Sequence, residues 1–155
     1  MAGLATGEAA PDFELPRGGG GSVKLSDLAG KSVVLYFYPK DDTSGCTAEA
    51  IDFSALKSEF EKAGAVVLGM SPDSVKSHDK FKKKHGLDVE LVADEEKKVL
   101  VAYGVWTEKS MYGRKYMGVE RSTFLIDKSG KISRIWRGVK VPGHATEVLE
   151  AAKAL

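Results

Sequence analysis

The stretch YPKDDTSGCTAEAIDF, residues 38–53, holds the chain's single cysteine, Cys46, just after a glycine. Upstream runs KSVVLYFY (31–38), an unbroken β-branched and aromatic series that reads as a central buried strand ended by Pro39. Downstream, Phe53, Leu56, Phe60 and Ala63 recur at spacings of three and four, the mark of one buried helix face, and the helix is expected over Thr43–Lys62. Cys46 therefore falls in the first turn of a helix at the carboxyl end of a central strand, where open α/β sheets commonly hold their reactive groups.

That position has chemical consequences. First-turn N–H groups have no intrahelical partner and the helix dipole is positive there. A thiol of pKa ~8.5 is about 3% ionised at pH 7, and one moved to ~6 is about 90% ionised, roughly a thirtyfold gain in attacking species. Cys46 and Phe53 lie seven residues apart, nearly on one helix face, so the sulfur is expected to lean toward the core in a shallow pocket. Thr43, three residues earlier, reaches back to the same pocket with a hydroxyl that donates and accepts, while Pro39 fixes the loop and shields the sulfur. Position alone leaves two readings open: a reactive sulfur, or a small buried hydrophobe.

The rest of the chain supplies the frame. PDFELPRGGGGSVKL (11–25) reads as two short strands around a glycine turn, and AVVLGMSPD (65–73) as a second buried strand. SPDSVKSHDKFKKKHG (71–86) is a helix with Ser and Asp caps that ends near Gly86. VELVAD (89–94) is a short strand and EEKKVLVAYG (95–104) a short helix. TEKSMYGRKYMG (107–118) is polar and reads as a loop; ERSTFLIDKSGKISRIWRG (120–138) is a hairpin, and PGHATEVLEAAKAL (142–155) a closing helix. Strands alternating with helices, then a hairpin and a helix, argue for one α/β domain over 1–155 built on a mixed sheet.

Bulk composition narrows the function. A net charge of +1 offers no global field for nucleic acid or an anionic membrane, and the longest apolar runs are far too short to span a bilayer. The opening MAGLATGEAAPDF lacks a basic start and a long apolar stretch, so no secretory signal is read and a cytoplasmic setting is expected. One cysteine forms no internal disulfide, which fits a reducing compartment.

Pro39, Thr43 and Cys46 spell P-x-x-x-T-x-x-C, which resembles the active-site motif of the peroxiredoxins, the thiol peroxidases. The full run is similar to the bacterioferritin-comigratory, or PrxQ-type, subfamily. So are APDFEL, LSDLAGKSVVLYFYPKDDT, VLGMSPD and ERSTFLIDKSGKI, in order along the chain. The resemblance implies a thioredoxin-like fold with an N-terminal β-hairpin. It implies reduction of hydrogen peroxide and organic hydroperoxides, with Cys46 as the peroxidatic cysteine and Thr43, Pro39 and Arg121 as its catalytic companions. A fixed cation at Arg121 suits an anionic sulfur and a bound peroxide. Glu49, one turn on, is a candidate to orient Arg121, with a solvated helix-start acid as the equal alternative; Gly45 is a second supporting candidate.

Two departures stand out. Ser44 replaces a proline common in the family, and serine is a good N-cap. Ile51 stands where many PrxQ-type members carry a resolving cysteine, so a one-cysteine mechanism is expected, with thioredoxin, glutaredoxin or a low-molecular-weight thiol as external reductant. No cofactor is called for, and relatives of this type suggest a monomer or weak dimer. The rival functions are a Cys–His hydrolase, a peroxide sensor and a non-catalytic thioredoxin-like binding module. His78, His85 and His144 lack metal-ligand spacing and are expected at the surface or at caps; KFKKKHG (80–86) reads as a solvated face. Trp106, Tyr112, Tyr116 and Trp136 are expected to pack in the core or at the site's rim.

Overall fold

The structure, a computed structural model, describes residues 4–155. Its centre is β3 (Ser32–Phe37), six consecutive buried residues. A strand with no polar face must be covered on both sides, and alternation divides its side chains between two cores. Val34 and Tyr36 face one core; Val33, Leu35 and Phe37 face the other. Parallel to β3 runs β4 (Ala65–Ser71), then β5 (Glu90–Ala93), while β8 (Ser122–Ile126) pairs antiparallel on its other side, followed by β9 (Ile132–Arg137). The order β5-β4-β3-β8-β9 makes the mixed sheet expected of a thioredoxin-like fold. The N-terminal hairpin is also present: β1 (Glu14–Pro16) pairs antiparallel with β2 (Ser22–Lys24), and Gly19, Gly20 and Gly21 all take positive φ in the turn between them.

The helices fill the two faces unequally. Phe53 and Ala50 of α1 (Ser44–Ala55), Phe60 of α2 (Lys57–Lys62), Phe81 of α3 (Val75–His85) and Val148 of α5 (His144–Lys153) join Tyr36 in the first core. Each such aromatic or aliphatic side chain contributes about 1.5–3 kcal/mol by leaving water. The second core takes Val99 and Leu100 of α4 (Lys98–Ala102), together with Tyr103, Phe124 and the N-terminal hairpin's Val23.

Four expectations change. The helix expected over Thr43–Lys62 is two, broken at Leu56, and its buried face is kept across the break because Phe53 and Phe60 both reach the core. The expected loop 107–118 is a hairpin of β6 (Trp106–Met111) and β7 (Arg114–Val119), turned at Tyr112-Gly113, both at positive φ. Its polarity disguised it, because most of its residues face water on both sides. Tyr112 at its tip is 98% exposed and Tyr116 is also exposed, so neither packs as expected, whereas Trp106 and Trp136 are partly buried. His78 and His144 are buried, each satisfied by a specific partner, and only His85 stays near the surface. Among the described residues no helix is long and apolar enough to cross a membrane.

Candidate active site

The chain leaves β3 with the Tyr38 N–H donating to Met70 O at 3.1 Å, and Pro39 then ends the strand. Lys40, Asp41 and Asp42 form the link to α1. Asp42 sits at φ +60°, a left-handed conformation costing about 1 kcal/mol outside glycine, which Asp tolerates better than most residues. Thr43, extended at φ −96° and ψ 156°, is the N-cap of α1, a place the sequence reading gave to Ser44; Ser44 is instead the first helical residue. The Thr43 hydroxyl does not cap the helix but donates to Lys40 O at 2.8 Å, closing the loop on itself. Its carbonyl accepts the first helical bond, from the Thr47 N–H at 2.8 Å.

Cys46 is the third residue of α1 and only 2% exposed. As the seven-residue spacing to Phe53 required, both lie in the same core. The cover is deeper than the shallow pocket expected, because Tyr36, Tyr38 and Phe53 fill the space beneath α1. Phe53 stacks on Tyr36 with ring centroids 4.6 Å apart, and Tyr36 in turn lies over Gly69 of β4, where a Cβ would stand 2.6 Å from its Cζ. Glycine at 69 is what lets the tyrosine lie flat.

Among the described residues one charged side chain makes a hydrogen bond to the sulfur. Arg121, the residue before β8, donates from Nη2 to Cys46 Sγ at 3.2 Å and from Nη1 to Glu49 Oε1 at 2.6 Å. Its backbone is fixed on the sheet by Val139, whose N–H donates to Arg121 O at 3.0 Å. Gly45 matters for the same contact: a Cβ there would lie 3.2 Å from Arg121 Nη2, so the missing side chain leaves the guanidinium its path to the sulfur. The candidates Cys46, Glu49, Gly45 and Arg121 thus meet around one group, although 75 residues separate Cys46 from Arg121 in sequence. Glu49 is buried rather than solvated, so of its two sequence readings the one that orients Arg121 matches the geometry.

Burial governs the electrostatics. It pushes the Glu49 carboxyl up to about 7, against the opposing pull of Arg121. Burial first, then the neighbouring Glu49 and Cys46, pushes Tyr36 well above the usual phenol range. Glu49 Oε2 and the Tyr36 hydroxyl are two of the few buried polar atoms without a hydrogen-bond partner among the described residues. Burial alone would lower Arg121, but the attraction of Glu49 and Cys46 and their hydrogen bonds leave it above its ordinary value. The guanidinium is a permanent charge held between a sulfur and a carboxyl.

The histidines are engaged elsewhere. His78 contacts Asp41, His85 contacts Asp42, and His144 Nε2 lies 2.8 Å from Thr123 Oγ1, its ring edge-on to Phe53 and Trp136. Burial holds His144 below its ordinary range. The Cys–His pair that a hydrolase needs is replaced by a Cys–Arg pair.

Comparison with known proteins gives one consistent answer. Residues 6–135 match the model of the AhpC/TSA family. Peroxiredoxin Bcp of Bacillus subtilis is 52% identical over 150 residues, covering 97% of this chain and 96% of that protein. The bacterioferritin comigratory protein of Xanthomonas campestris superposes with a TM-score of 0.88 at 50% identity, over 92% of this chain and 90% of that one. A Cys-to-Ser variant of Xylella fastidiosa PrxQ reaches a TM-score of 0.94 at 43% identity, over 99% and 98%. The alignment in fold and in sequence runs nearly end to end, and the chain belongs to the AhpC/TSA family as a peroxiredoxin of the Bcp/PrxQ type.

Proposed function

We propose that Cys46 carries a one-cysteine peroxidase reaction, with Arg121, Thr43 and Pro39 as its catalytic companions and Glu49 and Gly45 in support. The observation that carries this reading is the Arg121 Nη2 to Cys46 Sγ contact at 3.2 Å inside the P-x-x-x-T-x-x-C loop. The ionised sulfur attacks the terminal oxygen of ROOH along the O–O axis. A sulfur–oxygen bond forms, the O–O bond breaks, and the departing RO⁻ takes a proton to leave as ROH. Arg121 supplies fixed positive charge where negative charge moves from sulfur to oxygen, the preorganised stabilisation that costs no rearrangement during reaction. Glu49 holds the guanidinium to one orientation, and Gly45 leaves it room.

The second half needs an outside thiol, because the chain has no other cysteine. An external thiol attacks the sulfenic sulfur, forming S–S and releasing water; a second thiol then displaces Cys46 and carries away the disulfide. Thioredoxin, glutaredoxin and a small thiol all fit this chemistry. Hydrogen peroxide and organic hydroperoxides are the substrates. The alkyl peroxide reduction studied for the Xanthomonas protein supports including the latter. We place the protein in the cytoplasm as a single peroxidase domain that is monomeric or weakly dimeric.

One equivalent of peroxide followed by a sulfenic-acid trap should place the adduct on Cys46 by mass. Reduction by each of the three thiols in turn should then show which restores it with turnover. Cys46 left unmodified by peroxide would overturn the enzyme; oxidation without turnover by any of the three would make the protein a sensor.

A further inference from the structure

The β6–β7 hairpin is an arm that core packing does not explain. Seven large apolar side chains are exposed among the described residues, and four of them stand on it: Met111, Tyr112, Tyr116 and Met117. Tyr112 is the extreme case. It sits at φ +52° beside Gly113 at +77°, in a primed turn whose first position suits Asn, Asp or Gly, and water surrounds its ring. Neither burial nor backbone preference accounts for a tyrosine there, and such a conflict points to function. The strand register sorts the other side chains. Lys109 lies opposite Tyr116 and Met111 opposite Arg114, so these four share one face. Gly118 lets that face lie close to the ribbon, since a Cβ there would stand 3.2 Å from Lys109 Cδ and 3.5 Å from Tyr116 Cε2. Glu108 and Lys115 belong to the other face, where they pair at 3.8 Å. The face of Lys109 and Arg114 has no such balance: among the described residues no carboxylate pairs with either cation.

The arm is rooted at the reacting end of the sheet. Val119 closes β7 in the second core, the Glu120 N–H donates to Val105 O at 2.8 Å, and Arg121 follows directly. Ser122, the next residue, pairs with Phe37, the last residue of β3, from which the chain runs on to Cys46. From the root at Trp106 and Val119 to the tip is roughly 17 Å of extended chain. Every reaction cycle ends with a visit from an external thiol, because the chain has no second cysteine. A small thiol is too short to touch the tip of the arm and the site together, whereas a protein spans both. The side chains on the arm suit a short-lived protein contact: an aromatic anchor, adaptable methionines and cations that steer an acidic partner. We propose that β6–β7 is the docking arm for the protein that reduces Cys46. Tyr112 is its anchor, and the face of Lys109, Met111, Arg114 and Tyr116 receives a partner whose thiol is rimmed by apolar and acidic side chains. The inference rests on the peroxidase reading of Cys46 and narrows its reductants to a thiol-bearing protein.

The test compares two reductants of the peroxide-oxidised protein: reduced thioredoxin, or glutaredoxin where thioredoxin does not restore the thiol, and dithiothreitol, which is too small to use the arm. Tyr112→Asn, which suits the turn, should lower kcat/KM for the protein reductant about fivefold. Lys109→Glu combined with Arg114→Glu should lower it about tenfold or more, and the fall in the parent's rate on adding salt should flatten in that variant. In both, reduction by dithiothreitol and oxidation by hydrogen peroxide should stay within about twofold of the parent. Lys128→Glu reverses a charge on the exposed β8–β9 turn at the opposite end of the sheet, and it should leave all three rates at parent values. Arm variants that keep the parent's rate with the protein reductant would overturn the docking arm. Equal losses with dithiothreitol would do the same, since they mark a structural role. A parent that is dimeric at assay concentration, and monomeric in the arm variants, makes the arm an interface between copies and also overturns it. A parent restored by dithiothreitol but by neither protein removes the inference and leaves the peroxidase. A parent that peroxide fails to oxidise at Cys46 removes the peroxidase reading and this inference with it.

Discussion

The pocket at Cys46 and the β6–β7 hairpin break the usual distribution of side chains in opposite directions. At the pocket, polar groups go inside: Glu49 is buried, and Arg121 is largely covered between Glu49 and Cys46. In the hairpin, apolar groups stay outside, with Met111, Tyr112, Tyr116 and Met117 in water. The energetic meaning differs accordingly. Burying a carboxyl and a guanidinium costs desolvation that their attraction only partly returns, so such a pair is weak evidence of stability and stronger evidence of a task. Leaving a tyrosine in water forgoes stabilisation but incurs no such penalty. The pocket should therefore be sensitive in its rate with peroxide and in pH response, and the hairpin tolerant in both.

The widest contrast is at the sulfur. Cys46→Ser should abolish peroxide consumption while leaving the circular dichroism unchanged, because the side chain differs by one atom in an otherwise intact core. Next comes the cation. Arg121→Gln should lower kcat/KM for hydrogen peroxide by roughly 10²–10³, the usual effect of deleting one preorganised donor at a site of developing charge, and steady-state assays would read it. Retention of more than half the parent rate would break the comparison on the pocket side.

Packing beneath the sulfur gives a stability effect. Gly69→Ala pushes a methyl group into Tyr36, whose Cζ would stand 2.6 Å away, and should cost about 1–3 kcal/mol in urea unfolding. Glu49 gives a smaller, pH-dependent one. Its native carboxyl, raised to about 7 from an ordinary 4.5, binds more proton than the unfolded chain between those values. Stability from this group is fullest below about 4.5 and is lost as pH rises through about 7. Urea midpoints of the parent minus those of Glu49→Gln should therefore fall from pH 5 to pH 8; a constant difference would mean that the buried carboxyl is not raised. The least effect belongs to the hairpin tip. Tyr112→Asn, at an exposed position with φ +52°, should change stability by no more than about 0.5 kcal/mol in either direction, since Asn tolerates that backbone.

What was legible in the chain follows period and proximity. The run VVLYFY announced a strand buried on both faces, and the placement of Cys46 at the start of α1 followed from where that strand ends and the next helix begins. The β6–β7 hairpin reads as a loop in sequence because period-2 alternation disappears when both faces of a ribbon meet water. The turn Tyr112-Gly113 between two equal arms was the signal that remained. His78 reads as a surface or capping residue in a polar, lysine-rich helix, and nothing within α3 reveals that Asp41, 37 residues away, waits as its partner. The N-cap moved from Ser44 to Thr43, a difference of one residue that pattern alone does not resolve.

The alternation of strands and helices outside the β6–β7 hairpin and the break at Leu56, the lone thiol at a helix start and the need for an external reductant are properties of the sequence by itself, because each depends on residues close in the chain or on a count. Tertiary structure decided that Arg121 reaches the sulfur, that Glu49 is buried and raised, and that α3 grips the catalytic loop at two aspartates. Those contacts join residues 36 to 75 apart, and only the pairing of β3 with β8 and the packing of α3 beside β5 bring them within hydrogen-bond range.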